Sequence, residues 1–286
     1  MKPSPAAGLP AGVRAVPVTV WRDAQSREQS DWLADEIAVA LVFNGISHAV
    51  MLASPADLED FALGFGLTEG LLASASELLG VEVREVPDGI ELQLEVAAAC
   101  AWRLKERRRT LAGLTGCGLC GAESLGQVRR ELPRVAALDL TPQALARGQR
   151  ELQRSQAMQK LTGATHAAAW CAVDGQVLLV REDVGRHIAL DKLVGAIVRS
   201  AANPAEGFIC VTSRASFEMV QKTAMAGVAT LAAVSAPTAL AVDVARRCGL
   251  ALAGFVRGDG LVAYSFAERL GLGAQATSEV GGEHGH

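Results

Sequence analysis

The sequence predicts an α/β protein in which a smaller α+β domain precedes a larger α/β domain. Two observations support this fold class. In the first part of the chain, the turn-forming pairs Asn44-Gly45 and Asp88-Gly89 each separate two apolar runs, which is typical of β-hairpins. After Thr141, short apolar strands alternate with helical segments, which is typical of a mostly parallel sheet covered on both faces by helices.

The smaller domain is predicted over residues 16–112. Its strands are expected at 16–22, 37–43, 48–53, 81–86 and 90–96. Between the two hairpins, Ser54 and Pro55 are of the types preferred at the N-cap and the first position of a helix. Apolar residues then recur at helical spacing, so a helix is predicted there. Its apolar face carries Leu58, Phe61, Ala62 and Phe65.

The larger domain is predicted over residues 127–268. Its strands are expected at 168–173, 176–180, 208–212, 230–234, 250–256 and 261–266, and its helices at 141–159, 188–199, 217–226 and 238–248. Gly249 stands where a helix commonly ends in a left-handed residue. The tail, residues 271–286, is expected to be disordered.

Composition restricts the function. The 286-residue chain has a net charge of −4, which argues against general nucleic-acid binding, because that binding requires a basic surface. No continuous apolar segment typical of a secretory signal is found near the N-terminus, and the longest apolar stretch, 224–236, is too short to span a bilayer. We therefore expect a cytoplasmic protein that does not enter the membrane, with its six cysteines reduced.

The pair Cys117 and Cys120 is the most informative chemical feature. The two thiols are three positions apart, with glycine before, between and after them. Glycine gives the backbone access to conformations closed to other residues, so residues 113–126 are expected to form a mobile loop. Three interpretations compete for such a pair: a redox dithiol, half of a zinc site, and a carrier that holds a transferred sulfur atom as a persulfide.

The surrounding sequence bears on those interpretations. A redox CxxC pair normally begins a helix, and no strong helical pattern follows Cys120. A structural zinc site needs four ligands, and the other cysteines are all single, so no metal site is predicted. A glycine-rich loop suits a sulfur carrier best. The basic run at 103–109 would favour the thiolate, although a solvated helix face explains that run equally well.

Arginine follows three of the predicted strands, in segments 181–187, 213–216 and 257–260. Ligands of α/β sheets bind beyond the carboxyl ends of the strands, and arginine matches phosphate oxygens bidentately. The three segments are therefore a candidate phosphate clamp. The alternative is that the charged residues of segment 181–187 pair with one another on the surface.

Seven segments, taken together, resemble the signature blocks of the formate dehydrogenase accessory sulfurtransferase family, FdhD. They are residues 44–55, 117–121, 162–167, 182–187, 191–192, 213–218 and 254–258, and the resemblance extends over roughly residues 16–268. Ile188 and Gly260 depart from the usual pattern of that family. Neither departure affects the two thiols.

The resemblance implies a sulfurtransferase. Such a protein receives sulfur from a cysteine desulfurase and delivers it to the molybdenum or tungsten bis-molybdopterin guanine dinucleotide cofactor, which it binds as a substrate and which then enters formate dehydrogenase. The persulfide is assigned to Cys117, and Cys120 either holds an alternative persulfide or releases the sulfur by forming a disulfide. The cofactor-binding residues are Phe255, Val256, Arg257, Gly258, Asp259 and Gly260. A homodimer is expected.

The resemblance also implies that the larger domain has a three-layer fold similar to that of cytidine deaminases. Zinc deaminases require an H-x-E segment and a P-C-x-x-C segment, and this sequence contains neither. Deaminase chemistry is therefore not expected, because similarity of fold does not carry function. The alternative function, from a different class, is a non-catalytic chaperone that binds the cofactor for formate dehydrogenase.

Overall fold

The structure, a computed structural model, describes residues 8–111 and 131–273. These residues form a separate two-stranded hairpin, a four-stranded sheet and a six-stranded sheet. The hairpin and the four-stranded sheet come from the first described range, and the six-stranded sheet comes from the second. The predicted α/β fold class is confirmed. The predicted loop 113–126, with both of its cysteines, lies outside the described residues, as does nearly all of the predicted disordered tail 271–286.

The first range contributes six strands and two helices. They are β1 (Val13–Arg22), β2 (Gln25–Ala34), β3 (Ile37–Phe43), β4 (Ile46–Ala53), α1 (Leu58–Thr68), β5 (Leu78–Val86), β6 (Gly89–Val96) and α2 (Ala98–Leu111). The four-stranded sheet has the order β4-β3-β6-β5. Asn44 and Gly45 both have positive φ, 45° and 77°, as a tight two-residue hairpin turn requires. The sequence did not predict β2, because its mostly polar residues show no apolar alternation.

The predicted start of α1 is wrong. Ser54 and Pro55 do not cap this helix, which begins at Leu58 after Asp57, a residue in the left-handed region with φ 52°. Ser54 is instead fully buried against the second range. Its backbone N–H donates to Asp183 Oδ2 at 3.0 Å, and its Oγ accepts from the N–H of Val184 at 3.3 Å. Ser54 therefore binds residues of β8 and the segment after it, more than a hundred positions away in the sequence, instead of capping α1.

The second range contributes six strands and five helices. They are α3 (Pro142–Ser155), α4 (Ala157–Thr162), β7 (His166–Ala172), β8 (Val177–Asp183), α5 (Arg186–Arg199), β9 (Gly207–Val211), α6 (Phe217–Met225), β10 (Thr230–Ala233), α7 (Ala239–Cys248), β11 (Ala251–Arg257) and β12 (Gly260–Ser265). Thr141 caps α3 by accepting from the N–H of Ala144, and Gly249 ends α7 with φ 78°, as predicted. The single predicted helix 141–159 is interrupted at Gln156.

The expectation of a mostly parallel sheet is wrong for strand pairing. The sheet order is β12-β11-β10-β9-β7-β8, and only the pairs β9–β10 and β10–β11 are parallel. The hairpin partner β7 is inserted between β8 and β9 and is antiparallel to both, and β12 returns antiparallel along β11. It follows that β8, β9, β10 and β11 still point in one direction.

The six-stranded sheet is the middle of three layers. One face packs against α5, α6 and α7; this core includes Trp170, Leu190, Val194, Ile209, Val211, Met219, Val220, Leu231, Val244 and Leu252. The other face packs against α3; this core includes Leu145, Leu152, Ala169, Cys171, Phe208, Cys210, Ala232 and Ala253. Alternate residues of each strand serve opposite faces, as the two-residue period of a strand requires.

Helix α1 joins the two described ranges by packing against α5. The contact is a close approach of two backbones at Gly64 and Gly195. A Cβ atom at Gly64 would lie 1.7 Å from the carbonyl oxygen of Asp191, and one at Gly195 would lie 2.0 Å from that of Asp60. Only glycine leaves room for this crossing, so both positions require the residue type that the sequence supplies.

Candidate functional site

The candidate site lies at one edge of the six-stranded sheet. The carboxyl ends of β8, β9, β10 and β11 meet there, together with the first residues of β7 and β12, which run in the opposite direction. We call this the carboxyl edge. Segments 184–187, 212–216, 234–238 and 258–259 follow the four strands at this edge. Open α/β sheets bind their ligands in such a place.

The predicted cofactor stretch Phe255–Gly260 lies at the carboxyl edge, where β11 turns into β12. Phe255 has φ 52° and is 42% exposed, and the pairing of β11 with β12 shifts register between Gly254 and Arg257. A left-handed conformation costs a residue other than glycine about 1 to 3 kcal/mol. Strained residues cluster at functional sites, so an exposed aromatic ring held in this way favours a ligand contact.

Arg257 is exposed at the same turn. Its Nε donates to the carbonyl oxygen of Val234 at 2.9 Å, and its two terminal nitrogens have no partner within residues 8–111 and 131–273. The turn itself is held by Arg150 of α3, whose Nη1 donates to Gly258 O at 3.0 Å and to Asp259 Oδ1 at 2.8 Å. Sequence reasoning missed Arg150, because nothing near it in the chain indicates a contact more than a hundred residues away.

Arg181 does not join the predicted phosphate clamp. Its guanidinium turns toward α1, where Nη2 lies 2.6 Å from Asp60 Oδ2. The other oxygen of Asp60 accepts from Nη1 of Arg199 at 2.9 Å. The proposed surface pairing of Arg181 with its own segment is also wrong, because the partner is on α1. Arg214 and Arg257 remain exposed at the carboxyl edge.

Helices α5 and α6 bring a polar cluster to the carboxyl edge. His187 Nε2 lies 2.8 Å from Glu218 Oε2, with both side chains partly buried. The interaction with His187 lowers the pKa of Glu218, and Arg186 and Lys222 lower it by smaller amounts. Sequence analysis singled out both segments but did not predict this pair.

A pocket of about 360 Å³ opens between the end of β9 and the start of β7. It is lined by Gln156, Gln159, Gly163, Ala164, Thr165, His166 and Thr212. We call it the edge pocket. Burial lowers the pKa of His166, and the neighbouring Arg186 and His187 lower it further, so the imidazole is neutral at neutral pH.

The four cysteines within the described ranges, Cys100, Cys171, Cys210 and Cys248, are all buried. Burial raises the pKa of the Cys100 and Cys248 thiols. The pKa of the Cys210 thiol is also raised, chiefly by its hydrogen bond with Cys171 and secondly by burial. Thiols in such surroundings react slowly, because the thiolate is the reactive form. Cys117 and Cys120 fall in the part of the chain that the structure does not describe.

Three further observations concern the described residues. No group of three or more His, Cys, Asp or Glu side chains in 8–111 and 131–273 is placed to hold a metal ion. In the same ranges, no helix has the length and apolar character needed to cross a membrane. Of the basic run near the cysteines, Arg103 is already engaged in an ion pair with Glu77.

The fold and the site define a three-layer α/β protein with its candidate ligand-binding loops at the carboxyl edge of the sheet. This chain belongs to the FdhD/NarQ family, whose family model matches residues 34–271.

Two relatives illustrate the likeness in sequence. A protein named sulfur carrier protein FdhD from Variovorax paradoxus (strain S110) is 59% identical over 269 residues, which cover 93% of this chain and 97% of that protein. A protein of the same name from Bordetella petrii is 58% identical over 245 residues, which cover 85% of this chain and 88% of that protein.

A solved structure shows the same fold. The crystal structure of a formate dehydrogenase accessory protein from Desulfotalea psychrophila matches with a TM-score of 0.73 and 22% sequence identity, and the match covers 91% of this chain and 99% of that chain. At this level of identity, the likeness concerns the fold alone.

Proposed function

We propose that this protein is a sulfurtransferase that carries persulfide sulfur from a cysteine desulfurase to the molybdenum or tungsten bis-molybdopterin guanine dinucleotide cofactor, in support of formate dehydrogenase. The observation that carries the proposal is the 59% identity, over 93% of the chain, to a protein named sulfur carrier protein FdhD. The distribution of thiols supports it. Four of the six cysteines are buried, which leaves Cys117 and Cys120 as the candidates for exchange.

Loading of the carrier is a thiol exchange. The Cys117 thiolate attacks the terminal sulfur of the persulfide on the donor. A sulfur–sulfur bond forms at Cys117 Sγ, the bond within the donor persulfide breaks, and the donor cysteine leaves as a thiolate. The exchange conserves electrons, so it requires no external oxidant.

Delivery uses the second thiol. The Cys120 thiolate attacks Cys117 Sγ, the bond from Cys117 to the carried sulfur breaks, and that sulfur leaves as sulfide toward the metal. The carried sulfur gains an electron pair, and the two cysteines lose one as they form a disulfide. A cellular thiol reductant must then reduce this disulfide before the next cycle.

The cofactor is proposed to bind at the carboxyl edge through Phe255–Gly260. Arg257 supports this assignment, because its exposed guanidinium can hold a diphosphate bidentately. Gly258 has open space around its Cα, so a ligand can approach the backbone there. Phe255 presents an exposed ring beside this position, on which a planar base can stack.

The test of the function is intact mass after incubation with a cysteine desulfurase and cysteine. Wild type is expected to gain the mass of one sulfur atom, and peptide mapping is expected to place it on Cys117. The Cys117→Ala variant is expected to gain none at that loop, whereas Cys248→Ala, which removes a buried thiol, is expected to load normally. Equal loading of wild type and Cys117→Ala would overturn the proposal.

The second candidate function is a chaperone that binds the cofactor without handling sulfur. It is favoured by the placement of Phe255 and Arg257 on the described scaffold, where they can bind a nucleotide without either thiol. The discriminating result is restoration of active formate dehydrogenase by Cys117→Ala, which the chaperone permits and the carrier does not. A redox dithiol is tested separately by reduction of insulin with a suitable electron donor.

A further inference from the structure

Helix α2 buries one side and leaves the other in contact with solvent. Cys100 and Leu104 pack against the core of the four-stranded sheet, and Cys100 is fully buried. Trp102 and Lys105 are exposed, and they share one face of the helix because they are three positions apart. Trp102 is 65% exposed, although tryptophan is highly buried in most folded proteins. The outer face of α2 therefore presents an aromatic ring to solvent.

A second exposed apolar residue stands beside α2. Nη2 of Arg103, the residue after Trp102, lies 2.5 Å from Glu77 Oε2, and this ion pair joins α2 to the turn before β5. Leu79, two positions after Glu77, is 60% exposed. The pairing of β5 with β6 shifts register at this position, so Leu79 is the extra residue of a β-bulge, a feature that re-aims side chains. We call Leu79, Trp102, Lys105 and the Arg103–Glu77 pair the α2 surface.

The α2 surface is basic in an acidic protein. The sequence of α2 contains five basic residues and one acidic residue, whereas the whole chain has a net charge of −4. Tryptophan is enriched among the residues that supply most of the binding energy of a protein interface, and charges around it steer a partner of opposite sign. These features favour docking of an acidic protein surface that has an apolar recess for the indole ring.

The α2 surface is close to the carrier thiol along the chain. Cys117 is six residues beyond Leu111, the last residue of α2, and six residues span at most about 20 to 22 Å. Trp102 is nine residues before Leu111, which corresponds to about 14 Å of helix. The distance from Trp102 to Cys117 is therefore at most about 35 Å. A protein that delivers sulfur to Cys117 comes within reach of α2.

We propose that the α2 surface docks the cysteine desulfurase that loads Cys117, and that the desulfurase meets it with acidic side chains around an apolar recess. Trp102 fills the recess, and Lys105 pairs with a carboxylate at its rim. The inference rests on the proposed function and makes it more specific, because it names the surface that recognises the sulfur donor. The donor and the cofactor are then recognised by different residues of the chain.

The first experiment measures sulfur loading of the full chain by intact mass, with two donors. One is a cysteine desulfurase with cysteine, and the other is glutathione persulfide, which is too small to need a docking surface. Trp102→Ala is expected to raise the KM of the desulfurase for the carrier about ten- to thirty-fold. Loading from glutathione persulfide is expected to keep its wild-type rate, because the exchange at Cys117 is unchanged.

The hairpin of β1 and β2 supplies matched controls. Trp21→Ala removes a tryptophan that is 73% exposed on β1, and Arg27→Glu reverses an exposed charge on β2. Both variants are expected to load as wild type does from either donor. Lys105→Glu is expected to raise the KM of the desulfurase severalfold and to make it less sensitive to salt, because a screened attraction has been removed.

A binding measurement separates docking from chemistry. The desulfurase, without cysteine, is titrated by calorimetry into Cys117→Ala, and this variant is expected to bind as wild type does. The double variant Cys117→Ala/Trp102→Ala is expected to bind at least about ten-fold more weakly. Equal affinity of the single and double variants would overturn the proposal.

The loading assay has further outcomes that decide the question. An unchanged KM for Trp102→Ala would overturn the proposal. Equal slowing with both donors would also overturn it, because Trp102 would then act on the thiol and not on the desulfurase. If the desulfurase does not load wild type, the proposed function fails together with this inference. Normal loading of wild type and of Trp102→Ala contradicts this inference alone.

Discussion

Lys192 Nζ on α5 lies 2.7 Å from Asp183 Oδ2 at the end of β8, and both side chains are completely buried. The same Nζ donates to the carbonyl oxygen of Ser54 at 2.9 Å, while the carboxylate accepts from the N–H of Ser54. This ion pair therefore fastens Ser54, four residues before the start of α1, to the six-stranded sheet. A second buried contact, from Lys222 to Asp191 at 2.9 Å, reinforces the junction and also reaches Glu69 at 2.6 Å.

Removal of the Lys192 charge is predicted to destabilise the fold strongly. Lys192→Met leaves Asp183 as an unpaired buried carboxylate and is expected to lower the free energy of unfolding by about 3 to 5 kcal/mol. Chemical denaturation monitored by circular dichroism measures the change. The matched control is Arg84→Met, which removes an exposed ion pair with Glu82 and is expected to have little effect. Equal effects of the two changes would contradict the prediction.

The backbone crossing of α1 and α5 is predicted to reject any side chain. Gly64→Ala and Gly195→Ala each place a Cβ within 2.0 Å of a carbonyl oxygen on the facing helix, so both variants are expected to be poorly folded. Gly80→Ala is the control, because its Cβ would meet only ordinary contacts from 3.7 Å outward. The midpoint of thermal unfolding tests the difference. A wild-type midpoint for Gly64→Ala would show that the helices can separate at no cost.

The ionised Glu218 is predicted to stabilise the fold. Its pKa is lowered in the folded state, chiefly by His187, so its contribution is fully present above the ordinary glutamate value of about 4.3 and is lost as pH falls through the lower folded value. Unfolding free energies of wild type and Glu218→Gln are therefore expected to differ most near neutral pH and to converge in acid. A difference that grows as the pH falls would have the wrong sign.

Alkylation is predicted to separate the two classes of cysteine. Iodoacetamide under native conditions is expected to modify Cys117 and Cys120 well before Cys171 and Cys210, because the latter pair is fully buried. Peptide mass mapping over a time course gives the relative rates, and alkylation in denaturant supplies the reference in which all cysteines react. Equal native rates for Cys117 and Cys210 would remove the argument that the first cysteine of the pair is activated.

Nucleotide binding is predicted to depend on Arg257. Arg257→Ala removes a charge-assisted contact to the diphosphate and is expected to weaken GDP about ten- to a hundred-fold by calorimetry. Arg214→Ala is expected to act in the same direction with a smaller effect. The control Arg84→Ala removes an exposed arginine from β5, in the other sheet, and is expected to bind as wild type does. A larger loss in the control than in Arg257→Ala would place the nucleotide elsewhere.

Local signals in the sequence were sufficient where the structure depends on a few adjacent residues. The hairpin turn at Asn44-Gly45 was predicted because positive φ is available to those residues, and the end of α7 at Gly249 was predicted for the same reason. The alternation of strands and helices after Thr141 predicted the layered fold class, since a two-sided apolar strand must be covered on both faces. Segment 257–260 was predicted to follow a strand, and it lies where β11 turns into β12.

Only the tertiary structure decided which polar groups are available at the site. Serine is a residue type suited to capping a helix, yet the backbone N–H of Ser54 donates to Asp183 instead. Arg181 was predicted to be available for a phosphate, yet it forms an ion pair with Asp60. Gln156 and Thr212 both line the edge pocket, although nothing in the sequence indicates that these two residues lie close together. Capping and turns depend on neighbouring φ and ψ angles, so the sequence determined them. The pairing of buried charges depends on desolvation, which occurs only when the chain folds. The insertion of β7 between β8 and β9 depends on the order of strands in the sheet, which is likewise a property of the folded chain.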